Sequence, residues 1–276
     1  MKFDIIADSG CDLTPQLENE LKATTIPLSM ILESKEYVDD EFLDMPEFMA
    51  HMKTCTDKVS SASPPPGLYQ EAFAKSKQAF AVTLSSQLSG SYANANIGKA
   101  MAEENGADIH IFDSKSASAG QLLIVMKIRE LLDTGIDRAT VVNKINEFID
   151  NMKTYFVLER YDNLEKNGRL NKITGKLIRV LNIKLIMGAD GNGNIALFAK
   201  PRGVQQMLDK MVSLIGESDK STEAERLIIS HNNNPTLAQR LYDEVGKRYS
   251  FKEIWIVPTK GLASLYTDDG GIVMAF

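Results

Sequence analysis

Short runs rich in β-branched residues alternate along the chain with longer segments whose apolar residues recur at helical spacing. This alternation is typical of α/β proteins, in which helices cover a mainly parallel sheet. The helix over 204–215 shows the clearest apolar stripe. The predicted strands are Phe3–Asp8, Thr25–Leu32, Ala79–Leu84, Asp108–Asp113, Thr154–Leu158, Ile183–Gly188, Ile195–Lys200, Leu227–Ser230 and Glu253–Val257.

The pattern changes near residue 150. Before that point each strand is followed by a helix, whereas Ile183–Lys200 contains two strands joined by a polar turn, which predicts a hairpin. The sequence therefore predicts a parallel α/β domain over residues 1–152 and a mixed or antiparallel α/β domain over residues 153–276. Segment 59–78 contains the Ser- and Pro-rich run Ser60–Gly67 and is predicted to be an ordered loop that reaches the second domain.

Charge and composition exclude several classes of protein. The 31 Lys and Arg residues against 37 Asp and Glu residues give a formal net charge of −6, which argues against a nucleic acid partner. No apolar run approaches the roughly 20 residues that a membrane-spanning helix needs. Cys11 and Cys55 lack metal-ligand spacing and predict a reduced, cytoplasmic chain. The turn 189–194 has Asp and Asn at calcium-loop spacing but lacks the required Gly and Glu, so we predict a turn and no metal.

Hydroxyl-rich loops follow three of the predicted parallel strands. They contain Asp8 and Ser9 after the first strand, Ser85–Ser91 after the third, and Asp113–Ser116 after the fourth. Because the carboxyl ends of parallel strands meet at one edge of a sheet, these loops are expected to converge on one crevice. Serine hydroxyls and free helix amides can hold a carboxylate or a phosphate there. The same residue types also cap helices, and both interpretations stay open.

Signatures of common enzyme families are absent from the sequence. There is no Gly-x-Ser-x-Gly elbow, no Walker loop and no Gly-x-Gly-x-x-Gly after a strand. Among the histidines, His231 is the best placed as a base because it ends a predicted strand, so a serine-based acyl hydrolase using Ser89 and His231 stays an alternative. Arg169 follows Gly168, which ends a predicted helix, and either points into the interdomain cleft or pairs with a surface carboxylate.

Five motifs follow one another along the chain: Asp8–Leu13, Ser61–Pro64, Leu84–Tyr92, Asp113–Ser116 and Leu164–Leu170. The same motifs occur in this order in the DegV family of bacterial fatty-acid-binding proteins, which this chain resembles over nearly its whole length. The resemblance implies a two-domain α/β carrier with the ligand in the cleft between the domains, similar to the fatty-acid-binding subunits of bacterial fatty acid kinase. Such a carrier holds one long-chain fatty acid in an apolar tunnel, presents its carboxylate to a separate ATP-dependent kinase and has no activity alone.

The resemblance also assigns roles to individual positions. The ligands of the fatty acid carboxylate would be Ser61, Ser89, Arg169 and Tyr266. Supporting loop residues would be Ser9, Ser86, Gly90 and Ser114, and Arg202 would belong to the surface that docks the kinase. No metal or cofactor is implied, and we expect a monomer that touches a membrane only transiently, when it exchanges its ligand.

The chain departs from the family pattern in one segment. Residues 266–270 read Tyr-Thr-Asp-Asp-Gly where the family usually has His-Thr-Gly-Pro-Gly. A phenol can donate a hydrogen bond to a carboxylate, but Asp268 or Asp269 would repel an anion if it lay beside the headgroup. A carrier of a different lipid or amphiphilic carboxylate is therefore the main alternative. Asn167 also replaces a Gly of the family pattern.

Overall fold

The structure, a computed structural model, describes residues 3–56, 59–170, 182–218 and 220–276. The strands are β1 (Asp4–Asp8), β2 (Ala23–Ile26), β3 (Ser29–Leu32), β4 (Lys35–Val38), β5 (Ser60–Ala62), β6 (Gln78–Thr83), β7 (Asp108–Asp113), β8 (Thr154–Val157), β9 (Ile186–Ala189), β10 (Ile195–Ala199), β11 (Arg226–His231), β12 (Glu253–Pro258) and β13 (Ile272–Ala275). The helices are α1 (Pro15–Leu21), α2 (Met45–Thr54), α3 (Pro66–Ser76), α4 (Ser91–Glu103), α5 (Ala119–Asp133), α6 (Arg138–Asn151), α7 (Asp162–Lys166), α8 (Gly203–Gly216), α9 (Pro235–Gly246) and α10 (Gly261–Thr267).

Several helices begin where the sequence supplies a capping side chain. A side-chain oxygen at the N-cap accepts a hydrogen bond from a backbone amide in the first turn, which satisfies one of the free donors at that end. Helices α1, α2, α6 and α9 begin in this way at Thr14, Asp44, Asp137 and Asn234.

A four-stranded parallel sheet with the order β2-β1-β6-β7 forms the N-terminal part of the fold. Its central strands β1 and β6 are buried on both faces, as expected for a parallel sheet that is covered by helices. Ile6 and Ala81 pack in the cluster that includes residues of α3 and α4. Ile5 and Phe80 point to the opposite face and pack in the cluster that includes α5.

A six-stranded mixed sheet with the order β10-β9-β8-β13-β11-β12 forms the C-terminal part. Strands β11 and β12 are parallel, and the other neighbouring pairs are antiparallel. Strands β9 and β10 form the hairpin that the sequence predicted. The fold class is thereby confirmed, since a parallel-sheet N-terminal domain is followed by a mixed-sheet C-terminal domain.

Helix α5 packs between the two sheets. It contacts β1 and β6 of the parallel sheet and β11 and β13 of the mixed sheet. Ile5, Ile228 and Val273 therefore belong to one hydrophobic cluster with this helix. The two domains share apolar contacts across α5, and the division at residue 152 stays a prediction.

Two predictions for the first 80 residues were wrong. The single strand predicted over Thr25–Leu32 is two strands, because Pro27 has no N–H for a sheet ladder and the chain changes sheets there. Strand β3 instead forms a small antiparallel sheet with β4 and β5. The run Ser60–Gly67, predicted as a loop, supplies strand β5 and the first turn of α3.

Candidate functional site

A small cavity of about 120 Å³ is lined by elements of both domains. Its apolar wall comes from the loops after β1, β6 and β7, from β8, β9 and β13, and from α7 and α10. The apolar side chains that line it are Leu28, Leu84, Leu88, Ala117, Phe156, Leu158, Leu164, Ala189, Ile195, Leu262, Ala263 and Val273. This lining suits an aliphatic group.

The four residues named from the sequence as carboxylate ligands, Ser61, Ser89, Arg169 and Tyr266, all line this small cavity. The Ser61 Oγ and the Tyr266 hydroxyl are 2.7 Å apart. The Arg169 guanidinium carbon lies 4.8 Å from the centroid of the Tyr266 ring, a cation–π distance. The structure thus brings together hydroxyl donors and a positive charge from four separate segments of the chain.

Local geometry fixes Arg169 at the cavity. Gly168 ends the turn after α7 with a φ of +75°, a conformation that favours glycine. The Arg169 amide then donates to the Leu164 carbonyl at 3.0 Å. The Arg169 Nε donates to the Leu88 carbonyl at 3.0 Å, so the guanidinium is tied to the loop that carries Ser89.

Ser89 combines two possible roles. Its Oγ lies 2.9 Å from the Ser91 Oγ and accepts a hydrogen bond from the Ser91 amide at 3.2 Å. The latter bond satisfies the first free amide of α4, although the N-cap residue of that helix is Gly90, which has no side chain to cap it. The same hydroxyl also lines the small cavity, and its role as a ligand stays a prediction.

Tyr266 is a neutral donor at the cavity wall. Burial raises the pKa of its phenol above the ordinary value, and the opposing effects of Arg169 and Ser61 are smaller. The hydroxyl therefore keeps its proton at neutral pH. It can donate a hydrogen bond to a carboxylate, as the sequence analysis expected of a phenol at this position.

The predicted supporting residues stabilise loops and are absent from the described lining of the small cavity. The Ser9 Oγ accepts from the Leu28 amide at 3.0 Å, and the Ser114 Oγ donates to the Ser116 carbonyl at 3.0 Å. Ser86 is exposed, and Gly90 is the N-cap residue of α4. Ser116, from the hydroxyl-rich loop that the sequence placed at the crevice, lines the cavity. Ser118 and Thr154 line it as well, and sequence reasoning missed these two because their positions depend on the packing of one domain on the other.

Buried carboxylates hold the start of α10, the helix that carries Tyr266. Asp39 accepts hydrogen bonds from the Gly261 and Leu262 amides, each at 2.9 Å. Asp12 accepts from the Lys260 amide at 3.0 Å. Burial raises the pKa of Asp12 from 3.8 to about 6 and also raises the pKa of Asp39. Sequence analysis did not identify this connection, which joins residues more than 200 positions apart.

A larger cavity of about 1170 Å³ is lined by a different set of residues, with Met and Pro side chains beside many charged ones. Asp268 and Asp269 line this larger cavity and not the small one. Asp268 lies 3.5 Å from the Arg160 Nε, and Asp269 accepts a hydrogen bond from the Asn233 side chain at 2.9 Å. The two acids that replace Gly-Pro are therefore directed away from the proposed headgroup ligands.

The catalytic pair of the hydrolase alternative is not assembled. His231 lines the larger cavity, whereas Ser89 lines the small one. The His231 Nδ1 accepts a hydrogen bond from the Asn234 amide at 3.3 Å, and burial lowers the pKa of the imidazole. A base for Ser89 is thus not supplied by this histidine.

Two further features named from the sequence, Arg202 and the turn 189–194, make backbone contacts in the structure. Arg202 precedes α8 and forms an isolated β-bridge with Ile183. In the turn 189–194 the Asp190 Oδ1 accepts hydrogen bonds from the amides of Asn192 and Asn194, as expected for a turn.

Within the described ranges, no three His, Cys, Asp or Glu side chains lie close enough together to hold a metal ion. None of the described helices has the length and hydrophobicity to span a bilayer.

Comparisons with a family model and with individual known proteins agree on the family of this chain. The family model described as "Uncharacterised protein, DegV family" matches residues 2–276. A DegV domain-containing protein of Streptococcus pneumoniae is 34% identical over 286 residues, which cover 100% of this chain and 99% of the relative.

Two solved structures are similar to this one over their whole length. A DegV family protein from Ruminococcus gnavus, refined with vaccenic acid, has a TM-score of 0.96 and 33% identity, with coverage of 100% of this chain and 99% of the other. The Streptococcus pneumoniae fatty acid kinase B3 protein, loaded with linoleic acid, has a TM-score of 0.90 and 32% identity, with the same coverage.

Proposed function

The chain belongs to the DegV family, and we propose that it binds one long-chain fatty acid in the small cavity and presents the carboxylate to a separate ATP-dependent kinase. In that reaction a carboxylate oxygen attacks the γ-phosphorus of ATP, and ADP leaves as the acyl phosphate forms. The chain itself acts as the carrier in the cytoplasm and contributes no catalytic group. Similarity to a fatty acid kinase B3 protein supports this division of roles.

The observation that carries the proposal is the composition of the small cavity wall. Aliphatic side chains line most of it, and the polar groups that also line it include the hydroxyls of Ser61, Ser89 and Tyr266 and the guanidinium of Arg169. Burial of an acyl chain contributes roughly 0.8 kcal/mol per methylene, so the apolar wall would dominate affinity. Hydrogen bonds from hydroxyls and a guanidinium to a carboxylate are charge-assisted and would fix the headgroup.

The small cavity must widen when it is loaded. Ligand pockets usually have volumes of about 300–1,000 Å³, whereas this cavity has about 120 Å³. We infer that lining side chains such as Leu88, Leu158 and Leu262 move apart as the acyl chain enters. The larger cavity has a sufficient volume. A long apolar tail bound there would lie against charged side chains, however, and would displace their water without replacing its hydrogen bonds.

Kinase delivery requires a surface near the headgroup that a second protein can reach. We assign Arg202 to this docking surface, on its match to a basic position of the family pattern. Arg202 is the N-cap residue of α8 and is exposed, as a residue of a docking surface must be. Replacing Arg202 by Ala should slow acyl phosphate formation and leave fatty acid affinity unchanged.

The first test is native mass spectrometry of the freshly purified chain, followed by organic extraction and identification of the released molecule. We expect one fatty acid per chain. A protein that stays empty after incubation with fatty acids, or that releases another lipid, would contradict the proposal and favour a carrier of a different amphiphile.

The second test measures delivery. The loaded chain is mixed with ATP and a bacterial fatty acid kinase, and acyl phosphate is trapped with hydroxylamine as the hydroxamate. We expect product only when chain, kinase and ATP are all present. Product without the kinase would indicate an enzyme, and binding without any delivery would limit the function to storage or transport.

A further inference from the structure

We propose that Asn163, on helix α7, and Asn167, the C-cap residue of that helix, position the headgroup residues relative to one another, although neither asparagine is among the residues that line the small cavity. This inference rests on the proposed function, because it concerns the same carboxylate site. The two side-chain amides join the three segments that carry Ser61, Arg169 and Tyr266.

Asn167 connects α7 to strand β5. Its Nδ2 donates to the Val59 carbonyl at 2.9 Å and to the Asn163 carbonyl at 2.8 Å. Val59 lies two residues before Ser61, and Asn167 lies two residues before Arg169. The side-chain amide of Asn167 therefore sets the distance between the segment that carries Ser61 and the segment that carries Arg169.

Asn163 connects α7 to helix α10. Its Nδ2 donates to the Leu265 carbonyl at 2.9 Å, and Leu265 immediately precedes Tyr266. The last carbonyls of a helix have no partner within that helix, so this bond satisfies an acceptor in the final turn of α10. The bond also fixes the position of Tyr266 relative to α7.

Helix α7 depends on such bonds for its placement. It has five residues, far fewer than an isolated helix needs to be stable in water, and Leu164 is its one fully buried side chain. Ligand-binding groups must be held within about 0.5 Å of the productive geometry. The bonds from Asn163 and Asn167 span 102 and 108 residues, and they give this short helix a defined position between β5 and α10.

The test compares the Kd of a long-chain fatty acid with the Kd of its methyl ester, which keeps the apolar chain and lacks the anionic headgroup. For Asn163→Ala and for Asn167→Ala we expect the Kd of the acid to rise by about fivefold or more, and the Kd of the ester to stay within about twofold. The matched control is Asn151→Ala. Asn151 makes the same type of bond to a carbonyl four residues earlier, at 2.9 Å, at the exposed end of α6.

A double-mutant cycle separates positioning from general stability. If Asn163 positions Tyr266, the effect of Tyr266→Phe on the Kd of the acid should be smaller in the Asn163→Ala background, whereas independent effects would add. Should Asn167→Ala not fold, Asn167→Gln keeps the amide but shifts it by one methylene and is expected to raise the Kd of the acid selectively.

The outcomes distinguish the two proposals. Equal weakening of acid and ester, strict additivity in the cycle, or unchanged affinity in both alanine variants would overturn the positioning role while leaving the carrier function intact. A wild-type protein that does not prefer the acid over the ester would instead contradict the proposed headgroup site itself.

Discussion

Tyr266→Phe removes one hydroxyl from the small cavity and leaves the rest of the side chain in place. The aromatic ring still packs beneath the Arg169 guanidinium, whose carbon lies 4.8 Å from the ring centroid. The lost group is the hydroxyl that lies 2.7 Å from the Ser61 Oγ. Because burial raises the pKa of this phenol, it is a neutral donor to an anionic acceptor. Such a hydrogen bond contributes about 1.5–3 kcal/mol, so the Kd of a fatty acid should rise by about 10- to 150-fold.

Isothermal titration calorimetry with the acid and its methyl ester measures this effect, and Tyr37→Phe is the matched control. The Tyr37 hydroxyl also has a hydrogen-bonding partner, the His51 Nδ1 at 2.9 Å, but Tyr37 lines neither cavity. The control variant should bind the acid like the wild type. An unchanged Kd for the acid in Tyr266→Phe, or an equal loss for acid and ester, would refute the assignment of this hydroxyl to the headgroup.

Three further changes test other features. Ser89→Ala removes a proposed headgroup donor and the acceptor of the Ser91 amide at the start of α4. Calorimetry should therefore show at least about tenfold weaker binding, and denaturation about 1 kcal/mol less stability. Lower stability with unchanged affinity would leave Ser89 with a structural role alone. Folded Asp12 takes up its proton near pH 6 and the unfolded residue near 3.8. Its contribution to the free energy of unfolding therefore rises by about 2–3 kcal/mol as the pH falls from 7 to 4. Urea titrations should show the wild type gaining about this much stability relative to Asp12→Asn over that range, and parallel pH profiles would contradict the burial argument. Gly98→Ala places a methyl group 2.7 Å from the Pro66 carbonyl oxygen and should cost about 1–3 kcal/mol in thermal unfolding. Gly67→Ala, with open space around its Cβ, should cost less.

Local sequence signals predicted most of the parallel sheet and the β9–β10 hairpin. The buried strands β1, β6 and β7 are rich in apolar and β-branched residues, and a polar turn separates β9 from β10. Strands β4, β5 and β13 escaped prediction. The three residues Ser60–Ala62 have no strand pattern of their own and form a strand because β3 lies beside them. Strand β13 is held by neighbours on both sides that are distant in sequence.

In the candidate site, too, local motifs could be identified from the sequence, whereas contacts between distant segments could not. Motifs identified the segments that carry Ser61, Ser89, Arg169 and Tyr266, since each motif is local. The connections between those segments, such as the bond from Asn163 to the Leu265 carbonyl, join residues that are far apart in sequence. Hydrogen bonds of this kind leave no periodic pattern in a sequence, and a structure is needed to find them.

The position of β13 has a consequence for synthesis of the protein. This strand follows every other strand in sequence, yet it lies between β8 and β11 near the middle of the mixed sheet. Until a ribosome has made it, β8 and β11 each lack a neighbour and present an open edge that can pair with other chains. The contact between Ser61 and Tyr266, 205 residues apart, cannot form earlier than α10 either. The proposed carboxylate site is therefore incomplete until α10 has been synthesised, and a fatty acid bound there would stabilise only molecules that have finished folding.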